Sequence, residues 1–240
     1  MDRESRMLAL LLLAVLATAC ASGFDRRGID DRMASGGVAV TDEDVRAALA
    51  VRPQLPTPFR IAVHLVAETF EPGAGPVPAS PDLWRWTAKD KALFLGWTGE
   101  LRARGVAAEM FAMTELIPAG EDLAGLRLAA AKHGADAVLL MKGIAQVDAY
   151  VNPLAVFNLL ILPAFIVPAS HRDALVVIRA ALFDVRNEYL YAGVEAEGEG
   201  SSIGPSFLIG ESGAIEEAKE EALADFGPEL VDRIAGLATR

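Results

Sequence analysis

Apolar and polar positions alternate along this chain in two periods, one of strands and one of helices. Residues 60–67 (RIAVHLVA) form a nearly continuous run of β-formers and predict a buried strand. Residues 71–81 are a loop by their proline and glycine content. Thr87 stands three residues before Asp90, the spacing of a helix cap. Leu93, Phe94, Trp97 and Leu101 then recur on one helical face until Gly105. Residues 106–113 predict a second strand, 122–133 an alanine- and leucine-rich helix closed by Gly134, and 137–144 a third strand running on toward Tyr150. Residues 174–185 (ALVVIRAALFDV) read as a long strand. Arg186-Asn187-Glu188 supplies the turn, with Asn187 suited to a left-handed backbone, and 189–199 is the hairpin partner. Residues 200–213 read as a glycine-rich loop. A final helix over 215–238 gathers Ile215, Ala222, Phe226, Leu230 and Ile234 on one side, and Gly227-Pro228 is expected to kink or split it. The order β-α-β-α-β-insert-β-β-α predicts an α/β fold: a single mixed β-sheet packed with helices. No internal repeat of 20–50 residues interrupts it.

The amino terminus follows a different rule. Residues 7–16 (MLALLLLAVL) are apolar and uncharged, too short to span a bilayer and suited to a signal peptide. Leu16-Ala17-Thr18-Ala19-Cys20 follows, and it resembles a bacterial lipobox, in which the cysteine thiol receives a diacylglyceryl group. Ordinary cleavage at the same place, leaving a free thiol, is the alternative. Ala21 and Ser22 carry no aspartate, which resembles sorting to the outer membrane. The chain is therefore expected to divide into a signal peptide (1–19), a lipidated terminus and flexible tether (20–58), and an α/β domain (59–240) with an apolar insert at 149–170. One short helix is expected inside the tether, where Thr41 and Asp44 have capping-box spacing and Val45 and Leu49 share a face.

Composition narrows the functional classes. Hydrophobic residues make up 52% of the 240 and charged residues 23%, enough for a core and unlike a disordered chain. The net charge of −11, with no run of lysine or arginine, argues against nucleic acid as a partner. A single cysteine excludes an internal disulfide and a cysteine-based zinc site.

Two short motifs carry a resemblance. Gly134-Ala135-Asp136-Ala137-Val138-Leu139-Leu140 closes a helix and opens a strand, and Ala181-Leu182-Phe183-Asp184-Val185-Arg186 ends a strand in a hairpin turn. With the amphipathic helix over 216–234, they resemble a group of bacterial envelope proteins: the TolB amino-terminal domain, the curli-secretion lipoprotein and the peptidoglycan-synthase-activating lipoproteins. The lipobox and the Arg26-Arg27 pair are similar to the rhombotarget lipoprotein family, although Met33-Ala34-Ser35-Gly36-Gly37 stands where that family has an aromatic segment. The resemblance implies the fold over 59–238 far more than any activity.

Residues 149–170 (AYVNPLAVFNLLILPAFIVPAS) carry no charge. Their length would suit a membrane span. Pro153, Pro163 and Pro168 divide them, however, and they link two strands of one sheet. Two readings stay open. One is an apolar excursion buried on the protein itself. The other is an exposed hairpin whose Leu154, Phe157, Leu160, Leu162, Phe165 and Ile166 contact a membrane or a partner.

Catalytic signatures are sparse. His64, His133 and His171 have no second ligand at metal-binding spacing, and no metal or cofactor is expected. Gly210-Glu211-Ser212-Gly213-Ala214 misses the G-x-S-x-G nucleophile elbow at Ala214. Glu195, Glu197 and Glu199 alternate on one strand face, as a solvated edge or as paired carboxylates. Trp84 and Trp86 read as packing residues or an exposed contact. The sequence thus predicts a non-enzymatic, lipid-anchored periplasmic adaptor or assembly factor at the outer membrane, with an envelope protein as partner. A subunit of an oligomeric export complex, including a homo-oligomer, is the alternative; an envelope hydrolase is the remote one.

Overall fold

The computed structural model describes residues 23–34, 40–70, 84–113, 122–151, 170–204 and 212–239. Cys20, most of the 149–170 insert and its residues Leu154, Phe157, Leu160, Leu162, Phe165 and Ile166 lie outside them. The described elements run α1 (Arg26–Met33), α2 (Asp42–Ala50), β1 (Phe59–Phe70), α3 (Ala88–Ala103), β2 (Ala107–Ala112), α4 (Leu123–Lys132), β3 (Ala137–Val151), β4 (Ser170–Asp184), β5 (Leu190–Gly204) and α5 (Ser212–Ala235), closed by a 3₁₀ turn at Gly236–Thr239.

The five strands form one mixed sheet in the order β2-β1-β3-β4-β5. β1 pairs in parallel with β2 and β3, and β4 is antiparallel to both β3 and β5. The parallel pairs follow from the helical crossovers α3 and α4, since parallel strands need a long connection. The antiparallel pair β4–β5 follows from its tight hairpin.

Strand alternation sorts the side chains onto two faces. One face carries Phe59, Ile61, Val63, Leu139, Met141, Val176, Ile178, Leu182 and Val194, and α3 and α5 cover it with Phe94, Leu101, Phe226, Leu230 and Ile234. On the other face, Ala62 and Val138 lie beneath α4, and Ile144, Leu175 and Val177 lie beneath α1 through Ile29. The expected α/β fold with a single mixed sheet is therefore the observed one.

Several local expectations change. The sequence predicts one short helix in the tether region, but the described residues show two. α2 keeps its Thr41–Asp44 capping box and buries no residue. α1 is packed on the sheet, with Ile29 only 2% exposed. Residues 200–204, a loop by their glycines, continue β5, and Gly200 lies under α5, where a β-carbon would stand 2.2 Å from the Ala214 carbonyl oxygen. The left-handed residue of the hairpin is Glu188 (φ 64°), not Asn187. The Asn187 side chain instead accepts from the Tyr189 amide (3.1 Å) and donates to the Arg52 carbonyl (2.7 Å). α5 is not split at Pro228. Gly227 is pressed against Trp97, where a β-carbon would stand 2.4 Å from the indole nitrogen. Phe226, Leu230 and Val231 on either side are buried, so tertiary packing holds the helix through the missing backbone bond.

Candidate functional site

The resemblance motifs turn out to be joints of the fold. Gly134 ends α4 with φ +73°, and its carbonyl accepts from the Arg60 guanidinium at 2.7 Å. The Asp136 carboxylate accepts from the Arg60 amide (3.0 Å) and pairs with Arg186. Asp184 is fully buried; it accepts from the Arg186 amide (2.8 Å) and from the Tyr191 hydroxyl (2.9 Å). That hydroxyl in turn accepts from the Gln54 and Leu55 amides at 2.8 and 3.1 Å. Both carboxylates are consumed in stitching β1, β3, β4 and the incoming segment together. Burial is the leading cause that raises the Tyr191 pKa above its ordinary value.

The other candidate side chains are placed as follows. Trp84 is 6% exposed and Trp86 half-buried, so neither is an exposed contact. They meet edge-on at 5.5 Å and begin an aromatic chain through Phe94 and Trp97 to Phe226. The Trp86 indole N–H donates to the Val66 carbonyl at 3.0 Å. His64 is half-buried mid-strand, and desolvation lowers its pKa. His133 caps α4, its ring Nδ1 2.8 Å from the Ala129 carbonyl. Ser212 is the first residue of α5. Among the described residues, no three His, Cys, Asp or Glu side chains gather as metal ligands.

One ionic feature lies outside the sequence reading. Lys219 on α5 is fully buried, 3.0 Å from the Asp90 carboxylate and 2.7 Å from Glu216. Its ammonium also lies 5.4 Å from the Trp84 ring. Asp90 simultaneously accepts from the Thr87 amide and hydroxyl, completing the capping box in which Thr87 is the N-cap of α3. The pair therefore latches α3 to α5. A signal for it is present in the sequence: Lys219 falls one turn from Ile215 and Leu223, inside the apolar stripe of α5.

Glu195, Glu197 and Glu199 do share one face, and the structure gives them partners. Arg26 of α1 pairs with Glu197 and, at 3.6 Å, with Glu199. Arg179 pairs with Glu195 (2.5 Å) and with Asp30 of α1 (2.7 Å). These contacts raise the Arg179 pKa, its hydrogen bond to Glu195 being the largest cause. The carboxylate row is thus the seat of α1. Beside the end of α1 opens a shallow cleft of about 640 Å³ lined by Met33, Leu140, Lys142, Arg179, Gly193 and Arg233. Its lining mixes apolar floor and charged rim, which suits a protein contact better than a small reactive substrate.

Side chains of the helices occupy part of both sheet edges. The amides of Glu199 and Ser201 on β5 donate to Glu221 (2.6 Å) and Glu217 (2.9 Å) of α5. On β2 the Ala108 carbonyl accepts twice from the Arg102 guanidinium, at 3.0 and 2.8 Å. Among the described residues no helix is long and apolar enough to cross a membrane.

No family model matches the chain, and no curated protein matches it. Several solved structures are similar. Lipoprotein GNA1162 from Neisseria meningitidis shares 14% identity over 60% of this chain and 85% of its own, with a TM-score of 0.32. Protein XCC0632 from Xanthomonas campestris, of family DUF330, shares 14% over 78% of this chain and 90% of its own, with a TM-score of 0.34. A PelC dodecamer from Paraburkholderia phytofirmans shares 16% over 76% and 92%, with a TM-score of 0.30. At these scores the likenesses carry no functional argument, and the fold stands on the strand order and packing described above.

Proposed function

We propose that this chain is a lipid-anchored, non-enzymatic protein of the bacterial envelope. It would act as an adaptor or assembly factor at the periplasmic face of the outer membrane. Cys20 is the acylated residue in this reading, and Leu154, Phe157, Leu160, Leu162, Phe165 and Ile166 form its apolar contact with a membrane or partner. What supports it is the use to which the polar chemistry is put. Asp136, Asp184, Asp90, Lys219 and the β5 glutamates each hold one element to another. A surface cleft at the end of α1 is left as the place for a partner.

The test is photo-crosslinking in cells from the full-length chain, with the reactive residue at Ala34 or Gly193 in the cleft. A discrete second envelope protein is the expected adduct. Crosslinking to a second copy of this chain would redirect the reading to an oligomeric export complex. No adduct from either position, together with labelling of Ser212 by a serine-reactive probe, would overturn it in favour of a hydrolase.

A further inference from the structure

β5 is an edge strand of the sheet, and its outer edge is closed over only part of its length. From Ala192 to Gly204 its register with β4 is unbroken. The Glu199 and Ser201 amides face away from β4 and donate to Glu221 (2.6 Å) and Glu217 (2.9 Å) of α5. The period of two along a strand turns the amides and carbonyls of Gly193, Glu195 and Glu197 outward as well. These three residues are exposed, and none of the described residues bonds their amides. Glu217, Glu221, Asp225, Glu229 and Arg233 recur every four residues as one ridge of α5. Its first two members close the edge. Asp225 makes no such bond, and Glu229 turns instead to Arg233 at 2.8 Å. The stretch from Gly193 to Glu197 is therefore left open.

This open stretch borders the cleft at the end of α1. Leu140, Ala181 and Gly193 lie side by side across β3, β4 and β5, and the two small residues sink that row below its neighbours. A β-carbon at Gly193 would meet nothing nearer than 3.9 Å, so a side chain can lie over it. A bulky residue opposite Gly193 on an added strand would enter the cleft of about 640 Å³, as a cross-strand aromatic covers an edge glycine. Farther along the edge the same strand meets carboxylates. Arg179 is shared by Glu195 and Asp30, and Arg26 by Glu197 and Glu199. Each of these clusters has two acids to one base and keeps one negative charge. Cross-strand pairs favour opposite charge, so basic residues belong opposite Glu195 and Glu197.

We propose that the β5 edge from Gly193 to Glu197 takes an extended segment of a partner protein as an added antiparallel strand. The segment carries basic residues opposite Glu197 and Glu195 and an aromatic residue opposite Gly193. Along the partner chain it reads basic, any, basic, any, aromatic. This rests on the reading of the cleft as the partner's place and adds the mode of binding. Main-chain hydrogen bonds to the three open residues supply affinity, and the alternate side chains supply specificity. The antiparallel direction is the more stable pairing per residue.

The probe is a synthetic heptapeptide, TKTKTFT, titrated into the full chain in detergent micelles and followed by amide shifts in NMR. One twin is N-methylated at both lysines and the phenylalanine, whose amides face β5 in this register. The other is N-methylated at the two threonines between them, whose amides face away. Shifts are expected to centre on Gly193, Glu195 and Glu197. The threonine-methylated twin should bind as the parent peptide does, and the lysine- and phenylalanine-methylated twin about tenfold more weakly or worse, having lost three donors. Equal binding of the two twins overturns strand addition and leaves the cleft as a partner site. No shift at the three amides at millimolar peptide overturns the edge as a docking site, while crosslinking from Ala34 or Gly193 reports on the cleft independently. Shifts at these amides on concentrating the chain alone would give the edge to a second copy and overturn the basic and aromatic partner.

Discussion

Gly198 lies directly beneath Ala218: a β-carbon at 198 would stand 2.1 Å from the Ala218 carbonyl oxygen and 2.5 Å from the Ala222 amide nitrogen. Gly200 repeats the relation beneath Ala214, at 2.2 Å from its carbonyl oxygen. Backbone meets backbone here, so no rotamer change can relieve the contact. Overpacking a core costs about 1–3 kcal/mol, and Gly198→Ala is expected at the upper end because α5 must lift as a body. Gly193→Ala is the control, since its nearest neighbour is 3.9 Å away. Urea denaturation should show a lowered midpoint for the first and little change for the second. Equal midpoints would mean that α5 is not seated on these glycines.

The Asp90–Lys219 pair makes an asymmetric prediction. Both groups are buried, at 2% and 0% exposure. Removing one charge strands the other in a low dielectric, at about 3–5 kcal/mol, whereas removing both leaves only apolar surface and a lost cap. Lys219→Met is therefore expected to destabilise the fold more than the double variant Lys219→Met with Asp90→Leu, even though the second also forfeits about 1 kcal/mol of helix capping. Thermal or urea unfolding of the three proteins decides it. A double variant no more stable than Lys219→Met would show that loss of the lysine does not strand Asp90.

These two contacts mark where the sequence is and is not legible. The strands β1, β3 and β4 are runs of β-formers, and alternation alone assigns Glu195, Glu197 and Glu199 to one face. The boxes at Thr41 and Thr87 are readable because capping is local chemistry. Gly200 reads as loop because a glycine under a helix and a glycine in a loop look alike without the helix. α1 is hidden for a similar reason: its sequence RRGIDDRM is mostly charged, and its single fully buried residue, Ile29, shows only against the sheet. Its charges are those that bind Glu197 and Arg179, a pairing across more than a hundred residues of chain. Lys219 carries a legible cue in its place on the apolar stripe, yet only its contact with Asp90 tells a buried lysine from one that snorkels.

His64 gives the fold a pH dependence of definite sign. Burial pushes its imidazole below the ordinary value of 6.5. On acidification the unfolded chain takes up this proton first. The contribution of His64 is therefore intact above the ordinary histidine range and is lost as pH falls through it toward the lower folded value. His64→Gln removes this one titration and leaves the carboxylates as they are. Between about pH 8 and about pH 5.5, the parent should lose more stability than the variant, read as the shift in urea midpoint. Parallel losses would exclude His64 as a contributor.

β5 is an edge strand, and two of its amides are occupied by glutamates from its own helix. Such edges invite pairing with a second chain unless they are blocked. Glu221 holds the Glu199 amide and Glu217 the Ser201 amide. Both bonds lie at the exposed surface, so each adds only about 0.5–1.5 kcal/mol to stability. Their larger effect is on association. Replacing both with alanine should leave the fold largely intact and free the edge, raising the mass seen in sedimentation as concentration increases. Replacing both with glutamine keeps a carbonyl acceptor at each amide and removes the charge. If the block is the hydrogen bond, the glutamine pair behaves as the parent does. If it is repulsion between like charges, the glutamine pair associates as the alanine pair does. An alanine pair whose mass matches the parent at every concentration would show that β5 is protected by something other than Glu217 and Glu221.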